Sequence, residues 1–390
     1  MTDAETHPIC TLRPLRNPWR TLRLNPNHVN RKVRKVRFHA IHGTATSLET
    51  MKQIDHILNV LDDINNRTIT VFGDYCLDKY LYIDPARDED SVETGLTAYQ
   101  VDKKILYPGA GGTIANNLRA LGANVQCVGL AGNDGEGYDL LQCLEKIGAG
   151  TGLMVQSESI VTNTYTKPMR KTGERTYTEM NRIDIRNFDA TSRELEDQLL
   201  ANLAKALEIS QGIIIIDQFV QRNCSAITDR VRHELAELAA HFPDKFFFAD
   251  SRGFAGRFRN VIIKCNQFEL PGAEPGEDVE DAVSIVRRAK QLLAVSGRAV
   301  VVTLGEKGAL VFEPEKTVAS IPAFSVEGPL DIVGAGDATN AGTMLGLTLG
   351  LTLPDAVLLG GCVSSITIQQ IGVTGTASVE QVKQRLQQNR

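Results

Sequence analysis

Five short apolar runs set the strongest limit on what this chain can fold into. They are "TITVFGD" (68–74), "NVQCVGLAG" (124–132), "GIIIID" (212–217), "KFFFAD" (245–250) and "AVVVTLG" (299–305). Helical patterns such as "TIANNLRALGA" and "SAITDRVRHELAELAAHF" separate them. A run as continuously apolar as "GIIIID" suits a strand covered on both faces, as in a parallel sheet. Strands alternating with helices predict an α/β fold with a mainly parallel central sheet and helices on both sides. Ligands of such sheets bind at the carboxyl ends of the strands. Here those ends read "GD", "DQF", "ADSR" and "TLGEKG", which are polar or glycine-rich.

Two stretches, 79–107 and 161–188, break the alternation. "GLTAYQVDKKILY" and "TNTYTKPMRKTGERTYTEMNRIDI" alternate polar and β-prone residues, as half-exposed strands do. They read either as surface hairpins or as a small β lid over the strand ends.

The first fifty residues differ from the rest. They hold 9 of the 42 Lys and Arg but only 3 of the 47 Asp and Glu, with no sustained apolar periodicity. A disordered extension preceding a natural start at Met51 is expected, with residues 51–390 forming the folded domain. A transit peptide or a nucleic-acid or membrane arm are the alternatives. The net charge of -5 gives no reason to expect nucleic acid or an anionic membrane as the main partner. Seven scattered cysteines without a CxxC pair suit a reduced, cytoplasmic setting and no zinc site. No apolar run approaches the length of a membrane span.

The chemistry concentrates at "DIVGAGD", Asp331 to Asp337, just before "ATNAGTMLGLTLGL". Gly334 and Gly336 let the backbone turn tightly and let a ligand approach the main chain. A helix starting here directs free amides and its positive end at one spot, which suits a phosphate. Asp337 then lies in the first turn beside that spot. Phosphoryl transfer needs both parts, donors for the charge on the moving group and a base for the attacking hydroxyl. The chain has no G-x-x-x-x-G-K-[ST], no G-x-G-x-x-G after the first strand and no G-x-S-x-G. A P-loop enzyme, a dinucleotide oxidoreductase and an α/β-hydrolase are therefore not expected.

"DIVGAGDATNAG" resembles the C-terminal signature of the PfkB, or ribokinase-like, carbohydrate kinases, Asp-Thr-x-Gly-Ala-Gly-Asp. Four further motifs follow the family's order over residues 68–380. "GDYCLDKY" is similar to its opening strand end, implying Asp74 and Asp78 at the sugar. "PGAGGTIANNLRALGA" resembles its substrate motif, with Gly111, Gly112 and Asn117. "NQFE" resembles the Asn-x-x-Glu element, implying Asn266 near phosphate and Glu269 near Mg²⁺ through water. "TLGEKG" resembles the nucleotide-binding motif, with Thr303, Gly305, Glu306 and Gly308. Within the family, "GDYCLDKYLY", "NRIDI", "IIDQF" and "ADSRGFAGRFRNVIIKCNQFEL" look most like the heptose phosphate kinase half of bifunctional ADP-heptose synthases.

The resemblance implies a ribokinase-like three-layer fold with a small β lid, ATP and Mg²⁺ as cofactors, and a sugar or sugar phosphate as substrate. It implies Asp337 as general base and the amides of Gly334, Ala335 and Gly336 as anion hole. A monovalent cation such as K⁺ would lie by Asp331, and lids would pair into a homodimer. Arg182 and Asp184 on the lid and Arg252 after a strand end are further substrate candidates. Ile332 departs from the signature's threonine. An ungapped match through "LRALGA" puts Thr113 where the family has its sugar-binding asparagine, whereas counting from Gly111 and Gly112 gives Asn116. Thr113 is preferred, since an extra residue in a helix rotates later side chains by about 100°. A nucleoside kinase of the same fold and a non-catalytic sugar- or nucleotide-binding protein stay open.

Overall fold

The computed structural model describes residues 47–389 other than 175, 275 and 373. The expected extension therefore lies almost wholly outside the described residues. Helix α1 (Ser47–Val60) begins four residues before Met51 and buries Ile54 and Ile57.

The chain then runs through β1 (Thr68–Gly73), β2 (Tyr75–Ile83), β3 (Glu89–Asp90), β4 (Thr97–Ala98), β5 (Val101–Ala110), α2 (Gly111–Ala120), β6 (Asn124–Gly132), α3 (Gly135–Lys146) and β7 (Val155–Ser157). Next come β8 (Thr164–Lys171), β9 (Tyr177–Glu179), β10 (Ile183–Ile185), α4 (Arg193–Ile209), β11 (Gly212–Asp217), α5 (Asp229–His241), β12 (Phe246–Ser251) and β13 (Ile262–Asn266). The last elements are α6 (Ala282–Ser296), β14 (Ala299–Thr303), β15 (Ala309–Phe312), β16 (Ala319–Ile321), α7 (Ala335–Thr348), α8 (Leu353–Thr367) and α9 (Val379–Gln388).

Nine strands form the main sheet in the order β16-β15-β14-β13-β12-β11-β1-β6-β7. All neighbours from β14 to β7 pair in parallel, and β15 and β16 add an antiparallel edge. The run "GIIIID" shows why the sheet has two cores. Ile214 and Ile216 join the core under α1, α2, α7, α8 and α9, whereas Ile213 and Ile215 join the one under α4, α5 and α6. Each fully buried isoleucine contributes roughly 1.5–3 kcal/mol. The result is the expected three-layer α/β/α arrangement.

The strand order reverses at β1. The chain leaves β1 for β6 and β7 on one side and returns to β11 and beyond on the other. In open α/β sheets such a switch point opens a crevice at the strands' carboxyl ends.

A second sheet, ordered β10-β8-β2-β5 with β9 on β8, stands apart. It is built from the two stretches whose sequence alternates. Its register aligns Asp184, Tyr165, Asp78 and Tyr107 across four strands, so these four share one face.

Helices α7 and α8 pack closely because glycines line their contact. A Cβ on Gly342 would meet the Cα of Gly360 at 2.8 Å. This pair anchors the start of α7, where the candidate chemistry lies.

Candidate active site

Gly334 caps α7 with φ +81°, a left-handed conformation that favours glycine. The Ala335 amide donates to the Ile332 carbonyl at 3.2 Å. The amides of Gly334, Gly336 and Asp337 have no acceptor among the described residues. Three open donors thus meet at the positive end of a 14-residue helix, as an anion site requires.

Asp337 occupies the first turn of that helix. Burial, then the facing Asp250, pushes its carboxyl up to about 7, while Lys264 and Arg252 pull the other way. A carboxyl titrating near neutrality suits a general base.

Beside it lies a cluster that the sequence motifs did not single out. Lys264, near the end of β13, is 4% exposed. Its Nζ donates to Asp250 Oδ2 at 2.6 Å, and Asn340 Nδ2 on α7 donates to the same oxygen at 2.7 Å. A Cβ on Gly336 would sit 3.0 Å from Lys264 Nζ, so the ammonium lies against the helix start. The signal was a lysine inside the apolar strand "IIKCN", since lysine is almost never fully buried without a reason.

The small sheet supplies the other wall. Asp78 on β2 pairs with Lys167 on β8 at 2.8 Å, and Lys167 also donates to the Tyr80 hydroxyl at 2.9 Å. Asp78 adds to the field that raises Asp337, so this face of the sheet looks toward α7. Sequence reasoning missed Lys167; its alternation with Tyr165 on β8 was the available clue. Arg182 and Asp184 lie at the far edge of the sheet. They form a two-pronged pair at 2.6 and 2.8 Å, with Arg182 stacked over Tyr165.

The Asn266–Glu269 turn is self-locking. Asn266 Oδ1 accepts from the amides of Phe268 and Glu269, and Glu269 Oε2 accepts from the Asn266 amide at 3.0 Å. Burial and Asp250 raise the Glu269 carboxyl. Thr303, Gly305, Glu306 and Gly308 follow on the neighbouring strand β14 and its turn into β15. Gly305 and Gly308 both have positive φ, and Gly305 and Glu306 are exposed.

Other sequence candidates have structural duties. Asp74 is 2% exposed, and its oxygens accept from the amides of Gln218, Phe219 and Ala226. It ties down the loop after β11. Gly111 and Gly112 admit close packing, since a Cβ on either would strike Tyr75 or Pro108. Thr113 is buried, with its methyl 3.6 Å from where a Gly334 Cβ would sit, so it borders the anion site. Asn117 donates to the Thr113 carbonyl at 3.0 Å, and the Asn116 side chain makes no hydrogen bond among the described residues. Asp331 accepts from the amides of Val333 and Gly372, both at 3.1 Å, which ties two loops together. Arg252 is exposed, and its charge reaches both Asp337 and Glu269.

The sequence profile of "pfkB family carbohydrate kinase" matches residues 69–380, most of the chain. The chain belongs to the pfkB family of carbohydrate kinases. It is therefore a phosphotransferase with a sugar hydroxyl as acceptor. A relative described as bifunctional protein HldE, from Hyphomonas neptunium, is 26% identical over 329 residues. That match covers 84% of this chain and 65% of the relative. The HldE of Gluconacetobacter diazotrophicus is 26% identical over 325 residues, covering 82% and 64%. The chain thus spans less than two thirds of the length of these relatives.

Solved pfkB-like folds agree. Arabidopsis thaliana ribokinase, complexed with ribose and ATP, superposes with a TM-score of 0.61 at 16% identity, covering 82% of this chain and 98% of that one. Phosphofructokinase-2 from Escherichia coli, in complex with potassium, gives 0.62 at 19%, covering 83% and 99%.

Members of the pfkB family use ATP and usually Mg²⁺. The open amides at α7 suit a phosphate. Among the described residues no group of three or more His, Cys, Asp or Glu could hold a metal unaided. Mg²⁺ would therefore be held mainly by phosphates and water, with Glu269 as the carboxylate that would contact that water. No described helix is long and apolar enough to cross a membrane.

Proposed function

We propose that this kinase transfers the γ-phosphate of ATP to a hydroxyl of a sugar phosphate, with a heptose phosphate as the favoured acceptor. One observation carries the reading: Asp337, raised to about 7, stands in the first turn of α7 beside open amides. Asp337 takes the proton of the attacking hydroxyl. The amides at Gly334, Gly336 and Asp337 neutralise charge on the transferring group. Bound Mg²⁺ would supply further charge neutralisation between the phosphates, with Glu269 orienting its water shell.

Asp78, Thr113 and the Arg182–Asp184 pair hold the acceptor, and Arg252 binds its phosphate. The Thr303–Gly308 turn and Asn266 line the nucleotide side. The small sheet, built from segments within 79–107 and 161–188, acts as a lid over the strand ends, excluding water that would otherwise hydrolyse ATP. Exposed Val92, Leu96, Tyr99, Val101 and Ile183 on and around that sheet support a homodimer formed through it. Heptose phosphate is favoured by the HldE relatives, at the stated identity and coverage.

The test is ADP release with ATP and Mg²⁺ across ribose, fructose 6-phosphate, a heptose phosphate and nucleosides. Strongest stimulation by the heptose phosphate supports the reading. Stimulation by nucleosides alone makes the chain a nucleoside kinase, and no stimulation with ATP still bound favours a binding-only protein.

A further inference from the structure

Lys264 has more donors than acceptors. An ammonium carries three N–H groups. One is met by Asp250 Oδ2, and no second acceptor lies within hydrogen-bond distance among the described residues. Burying a charged group with unmet donors is costly unless a partner arrives. Asp250 does not need Lys264 alone, because Asn340 donates to the same oxygen. Strand alternation explains the direction of the side chain. Ile263 and Cys265 face the core under α4 to α6, so Lys264 faces the opposite side, toward α7. There its Nζ lies against Gly336, where any side chain would crowd it. The glycine therefore makes room for an ammonium at the mouth of an anion site.

We propose that Lys264 is a catalytic residue whose ammonium binds the γ-phosphoryl oxygens of ATP beside the α7 amides and follows that group to the acceptor. This rests on the kinase reading above. In the step, the acceptor oxygen forms a bond to the γ-phosphorus and the bond to the ADP oxygen breaks. The hydroxyl proton goes to Asp337, and Lys264 keeps its own protons and donates hydrogen bonds throughout. Asp250 and Asn340 hold the lysine side chain in place.

The contact is specific to the γ-phosphoryl group, so the nucleotide itself provides the test. The full chain is titrated calorimetrically with ADP and with a non-hydrolysable ATP analogue, both with Mg²⁺. The Lys264→Met variant should bind the analogue at least about tenfold more weakly while ADP affinity stays within about twofold. With the best acceptor of the panel, its kcat should fall about 100-fold or more, the loss typical of one removed transition-state donor. Methionine leaves Asp250 with less charge compensation and can disturb folding. The pair Asp250→Asn with Lys264→Met removes both charges and serves as the control. If Lys264 only compensates Asp250, the double variant recovers activity and analogue affinity, and the proposal falls. If it folds yet still loses the analogue selectively, the proposal stands. Equal weakening of ADP and analogue in the single variant also overturns it. A wild-type chain that binds neither nucleotide overturns the kinase reading, and this proposal with it.

Discussion

Asp78 on β2 and Lys167 on β8 form an ion pair at 2.8 Å that joins two strands of the small sheet on the face looking toward Asp337. Both side chains are largely buried, and Lys167 also lies over the Tyr80 ring at 4.5 Å. Asp78 is thus held rigid, its second oxygen has no hydrogen-bond partner among the described residues, and the proposed function gives that oxygen an acceptor hydroxyl. Asp78→Ala should raise the acceptor KM at least about tenfold, the cost of a lost charged hydrogen bond of roughly 1.5–3 kcal/mol. ADP affinity should stay unchanged by calorimetry. An unaltered acceptor KM would remove Asp78 from the sugar site.

The raised carboxyl of Asp337 fixes the sign of two pH effects. A base works only when deprotonated, so kcat/KM should fall about tenfold per pH unit below about 7. Stability runs the other way. The unfolded carboxyl titrates near 3.9, so between about 4 and 7 the folded state binds the extra proton, and stability falls as pH rises. Asp337→Asn should keep ADP binding and lose turnover by orders of magnitude. It should also melt above the wild type at pH 8, with the difference vanishing near pH 4. Near-normal turnover would overturn its role as base.

The fold was legible because its strands are apolar throughout. "GIIIID" and "KFFFAD" are buried on both faces, so composition and helix alternation sufficed. Asp337 was legible because a glycine turn and a carboxylate lie together in sequence. Lys264, Asp250 and Asn340 were not, since their cluster joins β12, β13 and α7 across 90 residues. Asp74 shows a related difficulty, since its oxygens accept from three amides of the loop after β11. A strand-end aspartate looks alike whether it faces a ligand or caps the amides of a neighbouring loop, and only packing tells the two apart. At the start of α7 the Ile332 carbonyl takes the Ala335 amide, and that of Asp337 has no acceptor among the described residues, which the glycine turn alone did not announce.

Arg288 on α6 is fully buried with no carboxylate partner among the described residues. It donates to the carbonyls of Gln267, Leu270 and Val279 and to Ser284 Oγ. Gln267 and Leu270 flank Glu269, so this arginine fixes the turn that carries the Glu269 carboxylate. Arg288→Met leaves the buried Leu270 carbonyl and the part-buried carbonyls of Gln267 and Val279 without their donor, which should destabilise the chain by roughly 2–4 kcal/mol. Urea unfolding measures this, and an unchanged midpoint would show that water replaces the guanidinium at little cost.

Thr113 and Asn116 compete for the acceptor site, and their surroundings differ. Thr113 is buried against the start of α7, whereas Asn116 is partly exposed and its side chain makes no hydrogen bond among the described residues. An amide near a bound sugar needs no partner in the free protein, so freedom alone does not decide between them. Position favours Thr113, whose methyl lies against the start of α7 while its hydroxyl donates to the Pro108 carbonyl at 3.4 Å, so a turn about its Cα–Cβ bond would offer that hydroxyl to an acceptor. Thr113→Val keeps the shape and removes only that hydroxyl. It should raise the acceptor KM about fivefold or more, a neutral hydrogen bond of roughly 0.5–1.5 kcal/mol. Asn116→Ala should change it less than twofold. The opposite pattern would assign the acceptor site to Asn116 and shift the substrate motif by one helical turn.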